Sequence, residues 1–135
     1  MKNKVLLIED NDDDVLMIKR GFKKGQIKNE LHRVSNGEEA YEYLQKVKLS
    51  EIQLIILDLN MEVMNGFEFL EKRQTIPEIS KIPVVVLTSS SRKQDIDKSY
   101  KLGANSYVEK PLDPVKFMEA IMSIEKFWII FAKRS

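Results

Sequence analysis

Four short apolar runs, the first three of them uninterrupted, constrain the fold of this chain more than any other feature. They occupy residues 5–8, 54–57, 84–87 and, more weakly, 106–108. Continuous runs of this length are typical of parallel strands that are buried on both faces of a sheet. A further, less distinct strand is predicted near residues 31–34.

Stretches with helical spacing of apolar residues separate these runs. They cover residues 15–22 and 37–47, begin again at Phe67, and recur around residues 96–104. The last predicted helix, about residues 113–132, starts with an aspartate that can cap it, followed by a proline at the first helical position. Alternating strands and helices predict an α/β fold with an open parallel sheet covered on both faces.

Composition supports one domain, residues 1–135, and excludes several kinds of function. The 43% of hydrophobic residues suffice for one core, and 22 basic against 21 acidic residues argue against nucleic-acid binding through a general positive field. Without cysteine there is no disulfide and no thiolate metal site. No segment has the length of a membrane span or the apolar core of a secretory signal, so we expect a cytoplasmic protein without a membrane partner.

Each apolar run leads into a reactive or polar side chain. Glu9 and Asp10 follow the first run, Asp58 the second, Thr88 the third, and Lys110 lies just after the last. Ligands of open α/β sheets bind beyond the carboxyl ends of the strands, so these five side chains are predicted to share one cleft. The alternative is that strands end in polar residues because they emerge into water. For any one position this explanation is as good as a shared functional cleft, but for all five together it is the weaker one.

The residue types in this cleft favour phosphoryl chemistry. Three carboxylates repel one another, and a hard cation such as Mg²⁺ relieves that repulsion. A carboxylate can also attack phosphorus as a nucleophile. Phosphoryl transfer needs in-line positioning and positive charge around the phosphoryl oxygens. Mg²⁺ and the Lys110 ammonium can supply that charge, and the Thr88 hydroxyl can donate a hydrogen bond to a phosphoryl oxygen.

Four segments, in their order and spacing, resemble the receiver domain of bacterial two-component response regulators. They are VLLIEDN, LIILDLNMEVMNG, VVVLTSS and SYVEKP, and the resemblance covers essentially the whole chain. It implies a flavodoxin-like (βα)5 fold, doubly wound, whose five parallel strands follow the order 2-1-3-4-5. It also implies phosphorelay signalling by a stand-alone receiver, which is not an enzyme beyond its own phosphorylation and dephosphorylation.

The resemblance further implies a role for each matching residue. Asp58 matches the phosphoacceptor, Lys110 the phosphate-pairing lysine, Thr88 the switch hydroxyl and Tyr107 the switch aromatic. A cis peptide bond is implied between Lys110 and Pro111, where a proline makes that geometry accessible.

The implied cofactor is Mg²⁺, and no other cofactor is expected. Asp10 matches its direct carboxylate ligand, Glu9 an acidic neighbour that usually acts through water, and Asn60 a residue whose backbone carbonyl binds the metal beside Asp58.

Several positions depart from the receiver-domain pattern, and others could be read as additional functional residues. Glu9 stands where aspartate is frequent, Glu62 where the loop usually has proline, and Ser89 where alanine is common. Residues 12–14 are three aspartates, which we interpret as a helix start favoured by the N-terminal dipole rather than as extra metal ligands. His32 is interpreted as a surface or strand residue and not as a ligand or phosphodonor.

The last helix is more apolar than one buried face requires. One stripe has Phe117, Ile121, Ile124, Trp128 and Phe131; a second has Val115, Met118, Met122 and Ile129. Either the core face is broad and a C-terminal extension folds back, or part of this surface contacts another protein or a second copy. The motif IEKFW resembles single-domain regulators that pair with phytochrome-type histidine kinases and dimerise through the last helix.

Three other functions fit the sequence less well. An aspartate-nucleophile phosphatase needs a second carboxylate where this chain has Asn60, and an amide cannot shuttle the proton. A flavodoxin-like cofactor binder needs a phosphate-binding loop where residues 9–14 are acidic. A DNA-binding regulator needs an output domain, for which no room is expected after Pro111.

The expected phosphodonor is therefore a histidine kinase, of the phytochrome type by the resemblance, or a phosphotransfer protein. The output is expected to reach an unknown downstream protein, with no nucleic acid. The face expected to change combines the helix around residues 96–104, the strand at residues 106–108 and the last helix.

Overall fold

A five-stranded parallel sheet forms the centre of the computed structural model, which describes residues 3–61 and 63–131, the side chain of Phe131 excepted. The strands are β1 Lys4–Ile8, β2 Glu30–Val34, β3 Ile52–Leu57, β4 Val84–Thr88 and β5 Ser106–Glu109. Their order is β2-β1-β3-β4-β5 and every neighbouring pair is parallel. The predicted fold class, strand order and second strand are confirmed.

Helices cover both faces of the sheet. They are α1 Asp12–Lys24, α2 Gly37–Lys46, α3 Gly66–Gln74, α4 Pro77–Ser80, α5 Lys93–Lys101 and α6 Pro114–Ile124, with a 3-10 turn at Leu49–Glu51 and a π-helical segment at Glu125–Phe131. Successive strand side chains point to opposite faces. Leu6 and Ile8 therefore pack with α2 and α3, whereas Val5 and Leu7 pack with α1 and α6. Burial on both faces is the physical reason for the uninterrupted apolar runs.

Short polar side chains start the helices at the carboxyl edge of the sheet. Asn11 caps α1, Asn36 caps α2 and Asn65 caps α3, each accepting a hydrogen bond from a backbone N–H in the first turn of its helix. Asp113 accepts from Val115 N–H at 2.8 Å, so the predicted start of the last helix is confirmed. These caps fix the loops that carry the predicted site.

The last helix differs from the prediction of one helix over about residues 113–132. α6 ends at Ile124, and the chain continues as a π-helical segment through Phe131. Gln53 Nε2 donates to the carbonyl of Ile129 at 2.9 Å, and Asn29 Nδ2 donates to Gln53 Oε1 at 3.1 Å. These side chains tie the π-helical segment to β3 and to the loop before β2. Residues 132–135 lie outside the described residues.

The apolar stripes of the last helix divide between core and surface. Phe117, Ile121 and Ile124 are buried, and Trp128 and Ile129 are partly buried against the same core. Phe127 and Ile130 are instead each 57% exposed, and Val115 is 66% exposed. The Phe131 side chain lies outside the described residues. The broad core face is thus present, and a separate exposed apolar surface remains.

The expected cis peptide bond between Lys110 and Pro111 is wrong, because the described chain contains no cis peptide bond. Even before proline the trans form is favoured by about 0.5–1 kcal/mol. Across the described residues, no helix combines the length and apolarity needed to cross a membrane.

Glu125 is a buried carboxyl at the junction of α6 and the π-helical segment. Its residue is 2% exposed, and its Oε1 has no hydrogen-bond partner among the described residues. The end of α1 lies against it, since a Cβ built on Gly25 would fall 2.2 Å from Glu125 Oε2. Burial raises the pKa of Glu125 from an ordinary 4.5 to about 7. The fold therefore favours the protonated carboxyl.

This burial predicts a pH-dependent contribution to stability. Between about pH 4.5 and pH 7 the folded chain holds a proton on Glu125 that the unfolded chain releases. The stability that the protonated carboxyl contributes is therefore fully present below about pH 4.5. It falls as pH rises and is lost above about pH 7. Relative to the wild type, the free energy of unfolding of Glu125→Gln should therefore increase by roughly 1–3 kcal/mol as the pH is raised from about 5 to 8. Denaturant titrations measure this difference.

Glu119→Gln is the matched control, because Glu119 is an exposed carboxylate on α6. Its difference from the wild type should be flat across the same range. Glu9 is unchanged in all three proteins, so its contribution to the pH dependence of stability cancels from the differences. Parallel profiles for Glu125→Gln and the wild type would contradict the prediction.

Candidate functional site

The side chains predicted to converge do meet at the carboxyl edge of the sheet. Oxygen atoms of Glu9, Asp10 and Asp58 all lie within 4.8 Å of one another. β1 and β3 are paired neighbours, with Ile8 opposite Leu57, so the residues after these two strands are adjacent. Glu9 and Asp58 are 1% and 5% exposed, whereas Asp10 is exposed to solvent.

Lys110 connects the acidic group to the end of β5. Its Nζ lies 2.5 Å from Glu9 Oε1, 2.8 Å from Asp14 Oδ2 and 3.7 Å from Asp58 Oδ2. Burial opposes the charged ammonium, but the hydrogen bonds to Asp14 and Glu9 outweigh it, and the pKa of Lys110 lies above its ordinary value. Lys110 is therefore a permanent positive charge in the site.

One lysine does not neutralise the group of carboxylates. Burial, and then the nearby charge of Asp58, raise the pKa of Glu9 to about 7, although Lys110 acts in the opposite direction. Asp58 Oδ1 is buried and has no hydrogen-bond partner among the described residues. A buried anionic oxygen without a partner is unfavourable by about 1–3 kcal/mol or more.

This incomplete neutralisation fits a hard divalent cation. Glu9, Asp10 and Asp58 offer carboxylate oxygens, and Mg²⁺ is usually held by a few carboxylates together with water. The predicted metal group is thus brought together for three of its four members. Asn60 is exposed, and its side-chain amide donates to Thr88 Oγ1 at 3.5 Å. Its backbone carbonyl as a metal ligand stays a prediction.

Thr88 and Tyr107 belong to a hydrogen-bonded group beside the acidic cluster. Lys110 N–H donates to the carbonyl of Thr88 at 2.7 Å, and the Tyr107 hydroxyl donates to the carbonyl of Ser90 at 2.7 Å. Ser90 Oγ in turn donates to Asp95 Oδ2 at 2.6 Å, and Arg92 donates to the same carboxylate. The bonds from Ser90 and Arg92 lower the pKa of Asp95. The loop after β4 is thereby tied to both β5 and α5.

Two charged residues of the site were not assigned this place from the sequence. Asp14 pairs with Lys110, and Arg33 donates from Nε to the Glu9 carbonyl at 2.8 Å and pairs with Asp12 at 2.9 Å. The three aspartates do form the first turn of α1, as interpreted. In the structure, the parallel pairing of Leu7 with Arg33 places Arg33 next to the acidic loop, a register that the sequence pattern does not give.

The remaining positions behave as follows. His32 lies on β2 and stacks on Tyr43, with ring centroids 4.0 Å apart, which agrees with its interpretation as a strand residue. Ser89 lines a groove of about 310 Å³ that also touches Asp14 and Lys110. Glu62 lies outside the described residues.

Comparison with known proteins gives one family. A sequence profile described as the response regulator receiver domain matches residues 5–122. Response regulator Rcp1 of Synechocystis sp. is 33% identical over 129 residues, which cover 93% of this chain and 88% of Rcp1. The span matched by the profile contains every predicted site residue from Glu9 to Lys110.

Solved structures agree over nearly the full length. The phosphorylated cyanobacterial phytochrome response regulator RcpA is similar with a TM-score of 0.92 at 33% identity, covering 99% of both chains. The Mn²⁺-bound form of Rcp1 gives a TM-score of 0.89 at 31% identity, covering 98% of this chain and 99% of that one.

The geometry predicts divalent-cation binding that depends on the clustered carboxylates. We expect Asp10→Asn and Asp58→Asn each to weaken Mg²⁺ binding by about tenfold or more, because each removes a charged oxygen ligand. Isothermal titration calorimetry with MgCl₂ measures the affinity. Asp13→Asn is the control, since Asp13 is an exposed carboxylate in the first turn of α1 and lies outside the cluster. Equal affinities for the wild type and Asp58→Asn would show that the cation binds elsewhere.

Proposed function

The chain belongs to the response regulator receiver domain family, and on that premise we propose that Asp58 accepts the phosphoryl group in its phosphorelay signalling. The single observation that carries the assignment is the environment of Asp58. It is a buried carboxylate at the end of a central strand; one oxygen has no partner within the described part of the chain, and an ammonium lies 3.7 Å from the other.

The proposed chemistry is a displacement at phosphorus by the Asp58 carboxylate. A carboxylate oxygen of Asp58 attacks the phosphorus of a phosphohistidine, the new O–P bond forms as the P–N bond breaks, and the imidazole leaves with the electron pair. Lys110 contacts a phosphoryl oxygen, and the Thr88 hydroxyl donates to another. Glu9, Asp10 and Asp58, with the Asn60 carbonyl, would hold Mg²⁺, which offsets negative charge on the phosphoryl oxygens.

The proposed donor is a histidine kinase, of the phytochrome type in view of the relatives, or a phosphotransfer protein. Rcp1 and RcpA, the latter a phytochrome response regulator, support this class of partner. In this proposal the protein acts in the cytoplasm, where a kinase that uses ATP would meet it. It remains one domain over residues 1–135 and has no nucleic-acid partner.

The residues of the site do not support a phosphatase or a flavodoxin-like cofactor binder. A phosphatase with steady turnover needs a proton-shuttling acid two residues after the nucleophile, and Asn60 offers only an amide there. Binding of a flavin phosphate would place an anion against Glu9 and Asp10. We propose that catalysis is limited to the protein's own phosphorylation and dephosphorylation.

Signal output is proposed to run through the loop after β4. A phosphoryl oxygen on Asp58 draws the Thr88 hydroxyl, and Ser90 lies two residues further along. Because Ser90 bonds both Tyr107 and Asp95, movement of this loop reaches β5 and α5. The face of α5, β5 and α6 then changes its affinity for a downstream protein. A tenfold change needs only about 1.4 kcal/mol of differential stabilisation.

We also propose a homodimer through the last helix. Phe127 and Ile130 are exposed apolar residues of the π-helical segment, and Val115 extends the apolar surface on α6. Trp128, by contrast, is partly buried against the core of its own chain. The exposed side chains are therefore better candidates for the contact than Trp128.

Phosphorylation is tested by incubation with acetyl phosphate or phosphoramidate and Mg²⁺, followed by intact-mass measurement. The wild type should gain the mass of one phosphoryl group, and Asp58→Asn none. Asp97→Asn, which removes an exposed carboxylate of α5, should label like the wild type. Lys110→Met should slow labelling by about tenfold or more, because it removes charge from the phosphoryl oxygens. Labelling of Asp58→Asn would overturn the assignment.

The dimer is tested by sedimentation velocity over a range of protein concentrations. The double variant Phe127→Ser, Ile130→Ser should sediment as a folded monomer where the wild type sediments as a dimer. Leu16→Ser is the control, because Leu16 is 48% exposed on α1, outside the last helix. A wild type that stays monomeric at high concentration would refute the dimer.

A further inference from the structure

Without a phosphoryl group in the site, the ammonium of Lys110 already donates hydrogen bonds to two carboxylates. An ammonium has three N–H donors. Two of them are directed to Glu9 and Asp14, at 2.5 and 2.8 Å. Asp58 is 3.7 Å away, beyond hydrogen-bond distance. The lysine therefore rests on the Glu9 and α1 side of the site, short of the proposed phosphoacceptor.

Asp14 is well held in this position. It lies in the first turn of α1, and its backbone N–H donates to the capping side chain of Asn11 at 3.0 Å. The side chain of Lys110 is 8% exposed and that of Asp14 is 25% exposed, so the pair is largely shielded from solvent. Shielding makes a charge pair stronger than one on the open surface.

We infer that Asp14 is a positioning residue that competes with the phosphoryl group for the ammonium of Lys110. Asp14 takes no part in the transfer itself and touches neither reacting atom. It holds the lysine in place while Asp58 is free and must give up that contact, in part or in whole, when phosphoryl oxygens appear. This inference rests on the proposed role of Asp58, and it adds a residue that sets the balance between the free and phosphorylated states.

Competition has a defined direction. When the charge of Asp14 is removed, Lys110 keeps Glu9 and loses one competitor, so it should be more available to a phosphoryl group. Asp14→Asn should therefore bind beryllofluoride, a stable phosphoryl mimic, about three- to tenfold more tightly than the wild type in the presence of Mg²⁺. Asp14→Glu keeps the charge on a longer arm and should return the affinity toward that of the wild type.

Two comparisons separate this role from general electrostatics. Asp13→Asn removes the same charge from the same turn of α1 without a contact to Lys110, and its beryllofluoride affinity should match that of the wild type. In a Lys110→Met background the effect of Asp14→Asn on beryllofluoride affinity should disappear, because Asp14 then has no ammonium to bind. If Asp13→Asn tightened beryllofluoride binding as much as Asp14→Asn, simple charge repulsion would explain the result and the positioning role would be wrong. The same conclusion would follow if Asp14→Asn kept its full effect in the Lys110→Met background.

A second readout needs neither metal nor phosphoryl mimic. In the metal-free protein, the ¹⁵N resonance of the Lys110 side-chain ammonium should shift in Asp14→Asn and stay unchanged in Asp13→Asn. Affinity for beryllofluoride that is unchanged or weaker in Asp14→Asn overturns the inference. A wild type that binds no beryllofluoride at all refutes instead the proposed function on which the inference rests.

Discussion

The arrangement of this site depends on how negative charge is kept at the edge of a buried parallel sheet. Burying a carboxylate is unfavourable unless it is paired or hydrogen-bonded. Lys110 pairs with Glu9 and Asp14, and Arg33 holds the backbone of the same loop. Asp58 Oδ1 is nevertheless left unpartnered among the described residues. This deficit of positive charge makes the site receptive to a cation and to chemistry on Asp58.

The sequence predicts the sheet well because both faces of its central strands are buried. Strands β1, β3 and β4 each contain an uninterrupted apolar run, and the ends of these runs locate the acidic cluster and Thr88. The edge strand β2 has only one buried residue, Val34, so its pattern was weak and its start was placed one residue late. The roles of the site residues came from the family resemblance, whereas the convergence of the side chains followed from parallel topology alone.

Contacts between distant side chains were beyond what the pattern could predict. Asp14 and Lys110 are 96 positions apart, and nothing in either local sequence distinguishes that ion pair from a helix-start aspartate and a surface lysine. The π-helical segment is similar, because the carbonyl of Ile129 is bonded by Gln53, 76 positions earlier. Helical spacing predicts that apolar residues face the core, but it does not reveal where a side chain from another element takes over a backbone carbonyl.

Two buried carboxyls show why a raised pKa alone does not identify a functional residue. Glu9 and Glu125 are both raised to about 7, chiefly by burial. Glu9 stands among Asp10, Asp58 and the Lys110 ammonium, so its charge is coupled to groups that can bind and react. Glu125, at the junction of α6 and the π-helical segment, packs against the C-terminal end of α1. Because α1 begins at the acidic edge, the Glu125 carboxyl lies about one helix length away from that chemistry. The neighbours of a titrating group, rather than its pKa, assign it to the site or to the fold.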